Sequence, residues 1–156
     1  MLKCLAATAL GAAALLIAVP VALACDEEAG APTSADASKP APKTLEVEQL
    51  AALMETSAKD KVPLFIFDAN SDGIRKDKGM IPTAIKLPSS SDYDLALLPK
   101  DKADATVFYC SNSKCGASKA AAARALQAGY TNVHVLPAGI VGWAKAGKPV
   151  AKLPQA

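Results

Sequence analysis

Three short apolar runs, each leading into a more polar or helix-like segment, set the tightest limit on what this chain can fold into. Pro63-Leu64-Phe65-Ile66-Phe67, ending at Asp68, has no polar residue inside it. Thr106-Val107-Phe108-Tyr109 and Val133-His134-Val135-Leu136 are nearly as apolar. A strand with one wet face alternates apolar and polar residues, whereas one buried on both faces reads as a continuous apolar run. Around these runs lie helical patterns. Leu45, Leu50, Leu53 and Met54 recur at helical intervals over residues 45–54. Residues 71–78 form a polar stretch closed by Gly79, residues 117–128 an alanine-rich helix stopped by Gly129, and residues 138–146 a final helix holding Trp143. Residues 84–87 make a weaker strand stopped by Pro88, and residues 93–98 a small apolar cluster before Pro99. Strand and helix alternating through short connections predict an α/β domain, with a mainly parallel central sheet and helices on both faces. Ligands of such sheets bind beyond the carboxyl ends of the strands. Asp68 and Cys110 each follow such an end.

Composition removes several classes of function. The net charge of +2 offers no electrostatic case for nucleic acid. A single histidine, His134, argues against a histidine zinc cluster and against a Ser-His-Asp triad. Cys110 and Cys115, without a second pair, make a poor zinc site. No metal or cofactor is predicted, and a monomer is expected.

The N-terminus reads as an address. Residues 1–24 comprise a short basic start, a long uncharged apolar stretch and the A-x-A pattern Ala22-Leu23-Ala24, followed at once by Cys25. One reading is a secretory signal peptide with Cys25 beginning the mature chain. A second is a signal similar to that of bacterial lipoproteins, with Cys25 lipidated, although Ala22 and Leu23 stand in the reverse of the usual order. A third is a retained membrane span, against which the A-x-A site argues. The cysteine at the boundary and the tail behind it favour the second, so the expectation is an exported protein of the periplasm or cell envelope, lipid-anchored to a membrane. Residues 25–43, rich in Ala, Pro, Ser, Asp, Glu and Lys, lack apolar periodicity and are predicted to be a disordered tether. The domain is expected over residues 44–153.

The segment after the second apolar run carries the chemistry. Cys110-Ser111-Asn112-Ser113-Lys114-Cys115-Gly116-Ala117-Ser118 joins a strand end to a helix start. Loop N–H groups and a helix N-terminus both favour negative charge, so the loop is expected to stabilise the thiolate of Cys110. The alternative is a structural cysteine that ends a buried strand. Ser118 is expected to cap the helix rather than to bond a sulfur ligand. Asp68 either orients the loop backbone or merely ends its strand. Lys114 and Lys119 either lend the loop a positive field or are simply solvated. Trp143 is expected in the core, His134 packed or at an edge, and the segment with Tyr93 and Leu95 packed or lining a pocket mouth.

The order of these pieces resembles the rhodanese family. Phe65-Ile66-Phe67-Asp68 is similar to its first-strand signature, and Gly79-Met80-Ile81-Pro82-Thr83-Ala84 to its G-H-I-P-G-A segment. Lys86-Leu87-Pro88, Val107-Phe108-Tyr109-Cys110, Gly129-Tyr130-Thr131-Asn132-Val133 and Ala138-Gly139 with Trp143 and Ala146-Gly147-Lys148-Pro149-Val150 follow in the family's order. The resemblance implies a single rhodanese-like domain that moves a sulfane sulfur from a donor such as thiosulfate to a thiol or cyanide-type acceptor. It also implies Cys110 as the residue that carries the sulfur as a persulfide, cradled by residues 111–118. The chain departs from the pattern at instructive places. The family's loop places Arg five or six residues after the cysteine, where this chain has Cys115 and Gly116. The histidine of G-H-I is Met80, and Ala69-Asn70 stands where an arginine often follows the first Asp. Cys115 therefore has several readings: a thiol that resolves the Cys110 persulfide, half of a redox pair with Cys110, or a small residue filling the loop. A thiol-redox or sulfur-carrier protein and a non-catalytic rhodanese-like binding module remain the competing functions.

Overall fold

A computed structural model describes residues 40–152. The signal, Cys25 and all but the end of the tether lie outside the described residues. The sheet has five strands: β1 (Lys43–Thr44), β2 (Leu64–Asp68), β3 (Ile85–Lys86), β4 (Ala105–Tyr109) and β5 (Val133–Leu136). All pair in parallel, in the order β1-β5-β4-β2-β3. Three helices connect strands, α1 (Val47–Asp60), α2 (Asp72–Lys78) and α3 (Ala117–Gln127), a 3-10 turn at Leu95–Leu97 lies between β3 and β4, and α4 (Gly139–Lys145) follows β5. None of the described helices is long and apolar enough to cross a membrane.

The apolar runs bury both faces, as continuous patterning requires. Phe67, Phe108, Val133 and Val135 point into one core against Ala121, Ala122 and Ala125 of α3. Their chain neighbours Ile66, Val107, Tyr109 and Leu136 point into the other, with Leu50 of α1 and Ile140 and Trp143 of α4. The alanine stripe lets α3 approach the sheet closely, and the space left is filled by aromatic rings. Phe67 stacks on Phe108 with ring centroids 5.1 Å apart, and Tyr93 closes the cluster at 6.3 Å from Phe108. Tyr93 is thus core, its hydroxyl donating to Ala121 O at 2.9 Å, while Leu95 remains exposed.

Two boundaries differ from those expected. Lys43, assigned to the tether, is already in the sheet opposite His134. A strand this short beside Pro40 and Pro42 leaves no period to read. The first helix starts at Val47 rather than Leu45, because the Leu45 N–H is taken by Val135 O at 2.9 Å. It then runs on to Asp60, through a half-buried to exposed stretch that carries no clear apolar signal. His134 is half-buried in an interior strand, its Nε2 paired with Asn132 Oδ1 at 2.8 Å.

Candidate functional site

The carboxyl ends of β2, β3 and β4 are bound together before any loop begins. Ala69 N–H donates to Tyr109 O and Leu87 N–H to Asp68 O, both at 2.9 Å. Asp68, fully buried, anchors this edge. Its Oδ2 accepts the Tyr109 hydroxyl at 2.6 Å, and its Oδ1 accepts the Asn70 N–H at 2.7 Å. The Tyr109 hydroxyl in turn accepts the Ile81 N–H at 3.1 Å. Burial, together with the adjacent Asp68 carboxylate, pushes the Tyr109 phenol well above its usual range. It therefore serves as a hydrogen-bonding strut. Asp68 thus ties the ends of β2 and β4 together through the Tyr109 hydroxyl, and its side chain bonds Asn70, Tyr109 and Arg75 rather than residues 110–118.

The charge of Asp68 is balanced by Arg75, whose part the sequence did not reveal. Arg75 Nε lies 3.4 Å from Asp68 Oδ1. Its Nη2 donates to Asp68 O at 2.9 Å and to Leu87 O at 2.8 Å, and its Nη1 to Asp72 Oδ1 at 2.9 Å. A buried carboxylate requires such a partner. The positive partner of this Asp comes from α2 rather than from the residues that follow it. With only two arginines in the chain, this signal was present but unassigned. Arg124 binds Tyr93 O through Nε at 3.1 Å and covers the Tyr93 ring at 5.4 Å. Both guanidinium groups are therefore engaged away from residues 110–118.

The start of the loop is pinned from α4. Ile140 N–H donates to Cys110 O at 2.9 Å, and Val141 N–H to Ser111 O at 3.0 Å. Gly139, at φ +58°, makes this approach possible. A Cβ there would stand 2.3 Å from Cys110 O and 2.6 Å from Ser111 O. The rest of the loop is built on Asn112. Its Oδ1 accepts Lys114 N–H and its carbonyl accepts Cys115 N–H, each at 3.0 Å. Ser113, Lys114, Gly116 and Lys119 are exposed, and the lysines make no ion pair with a carboxylate in the described domain.

The expected N–H cradle for the Cys110 sulfur is largely spent elsewhere. Cys110 is only 1% exposed, and its Sγ lies 3.3 Å from Cys115 O and 3.8 Å from Asn112 O. Carbonyl oxygens accept; they stabilise a thiol rather than a thiolate. Burial, and donation toward Cys115, push the Cys110 thiol up, against the opposing bonds from Ser118. The expectation of a depressed Cys110 is therefore corrected. The negative charge is better held at Cys115. Burial works against ionisation there too, but hydrogen bonds from Cys110, from the Ala117 and Ser111 N–H groups and from the Ser111 hydroxyl outweigh it and bring Cys115 down. Ser118 is also corrected. It lies inside α3, makes no cap bond, and its hydroxyl sits 3.4 Å from Cys110 Sγ.

A cavity of about 470 Å³ opens beside this edge, lined by Asn70, Arg75, Lys86 and Pro88. A smaller one of about 290 Å³ continues past Asn70 toward Ser89 and Ser90. Asn70 is 7% exposed, and its Nδ2 has no hydrogen-bond partner among the described residues.

Residues 46–146 match the family model of the rhodanese-like domain. The chain belongs to the rhodanese-like domain family. Solved structures agree in fold. A Rhodopseudomonas palustris protein of unknown function, described as a possible tyrosine phosphatase, superposes with TM-score 0.56 at 22% identity, over 70% of this chain and 84% of that one. A rhodanese-related protein from Thermoplasma volcanium gives TM-score 0.54 at 20% identity, over 69% and 96%. A thiosulfate sulfurtransferase from Pseudomonas aeruginosa gives 0.51 at 21% identity, over 71% of this chain but 20% of that one. No curated protein matches the chain. At these identities the neighbours speak for the rhodanese-like fold, and the chemistry must be argued from the loop itself.

Proposed function

We propose that this rhodanese-like domain is a sulfurtransferase that carries sulfane sulfur as a persulfide on Cys110. The observation that carries the reading is the seat of Cys110. It stands at the end of β4, with its carbonyl tied to α4 and its sulfur 3.4 Å from the Ser118 hydroxyl in the first turn of α3. A sulfur atom added there would lie beside a hydroxyl donor and the positive end of a helix, both of which favour a persulfide anion. Cys110 attacks the outer sulfur of a donor such as thiosulfate; the S–S bond of the donor breaks and sulfite leaves. A thiol or cyanide-type acceptor then takes the sulfur. Phosphoryl chemistry fits less well, because neither arginine is free to hold its oxyanion at the loop.

Thiocyanate formation by the reduced full-length chain from thiosulfate and cyanide tests this reading. Activity lost in Cys110→Ser supports it, and no transfer from any sulfane donor sinks it. The exported, lipid-anchored location read from residues 1–25 belongs to the same proposal. A Cys25 peptide carrying no acyl groups in protein isolated from membranes would remove that part.

A further inference from the structure

We infer that Cys115 is a second catalytic thiol, which turns sulfur transfer at Cys110 into reduction of the sulfane donor with release of sulfide. This rests on the sulfurtransferase reading and specifies its product. Two observations carry it. First, the Cys110 sulfur is seated against residue 115: Sγ lies 3.3 Å from the Cys115 carbonyl oxygen and 3.8 Å from the Asn112 carbonyl, which also accepts the Cys115 N–H. Second, neither thiol is bridged and they differ in access, Cys110 being buried and Cys115 half-exposed. Burial opposes ionisation at both, but hydrogen bonding outweighs it at Cys115 and not at Cys110.

The steps balance with one proton moving between the cysteines. Cys115, as thiolate, takes the proton of Cys110 while Cys110 attacks the outer sulfur of thiosulfate. This gives a Cys110 persulfide anion, a Cys115 thiol and sulfite. Cys115 sulfur then attacks the inner sulfur of the persulfide. The Cys110–Cys115 bond forms, the persulfide S–S bond breaks, and the outer sulfur leaves as hydrosulfide with the proton Cys115 held. The donor's sulfane sulfur has been reduced and the cysteine pair oxidised. A dithiol reductant resets the pair by exchange. The burial that makes Cys110 a poor thiolate on its own is thereby offset by an internal proton acceptor.

The test is a single turnover with no thiol added. Fully reduced full-length chain, freed of reductant, is mixed with thiosulfate, and sulfite, sulfide and the cysteine peptides are followed. The expected result is sulfite and sulfide in equal amounts, each stoichiometric with the chain, and a Cys110–Cys115 bridge. In Cys115→Ser, and in Cys115→Ala as a second variant, sulfite still forms but more slowly. Sulfide falls to background, and the persulfide stays on Cys110. Sulfite without sulfide or bridge in the unmodified chain overturns this inference alone, as does undiminished sulfide release from both variants. No sulfite from any of the three overturns the sulfurtransferase reading, and this inference with it.

Discussion

Replacing Gly139 by Ala attacks the support of the loop without touching a sulfur. The new Cβ would meet Cys110 O at 2.3 Å, about 1 Å short of ordinary contact, and Ser111 O at 2.6 Å. The obstacles are backbone atoms, held by Ile140 and Val141, so no flexible side chain can yield. Two costs follow. Left-handed backbone at φ +58° costs a non-glycine residue about 1–2 kcal/mol, and forcing a carbon into a packed site costs about 1–3 kcal/mol more. Together they predict a loss of about 2–5 kcal/mol, a large share of the roughly 5–15 kcal/mol that holds a domain folded. Gly147 supplies the control. At φ +71° with no atom within 4 Å of its added Cβ, Gly147→Ala carries only the conformational cost, about 1–2 kcal/mol. Urea unfolding at constant m separates the two. Alkylation of Cys110 adds a local readout, since movement of its carbonyl opens the loop and quickens the reaction in Gly139→Ala alone. Equal destabilisation by the two variants, with unchanged Cys110 reactivity, would refute the claim that Gly139 seats the loop.

The other predictions concern charge. Arg75→Met leaves the Asp68 carboxylate buried without a countercharge and takes a donor from the Leu87 carbonyl, and is expected to cost about 3–5 kcal/mol in urea unfolding; a loss below about 1 kcal/mol would mean that Asp68 is satisfied by other groups. Cys110→Ala removes a donor from the Cys115 sulfur, so the pH at which Cys115 alkylates at half its maximal rate should rise toward that of an ordinary thiol. An unchanged or lower midpoint would show that Cys110 does not stabilise that thiolate. The rate of sulfite release should increase with pH as Cys115 ionises, because only its thiolate accepts the Cys110 proton. In Cys115→Ser the rise should move to higher pH, where the buried Cys110 ionises by itself, and a profile that stays in place would separate Cys115 from this step.

Much of the fold was legible because its cause is local. The runs at β2, β4 and β5 are buried on both faces, so their composition alone declares them, and Gly79 and Gly129 mark helix ends with positive φ. The strand β1 was hidden because two residues beside prolines have no periodicity. The candidate cysteine and its loop are contiguous in sequence and could be read there, whereas the residues that support them could not. Arg75 meets Asp68 only once α2 folds back across the end of β2, and Gly139 meets Cys110 only when α4 packs under β4. The direction of the loop's hydrogen bonds was beyond the sequence for the same reason. Whether an N–H points at Cys110 or at Cys115 depends on the turn that Asn112 builds.

The central claim is that Cys110 receives the sulfur. Peptide mass spectrometry of reduced Cys115→Ser treated with thiosulfate, then blocked without added thiol, tests it most directly. The account predicts one added sulfur atom on the peptide containing Cys110 and none in the Cys110→Ser variant. An unmodified Cys110 after exposure to thiosulfate and to a polysulfide donor would contradict it.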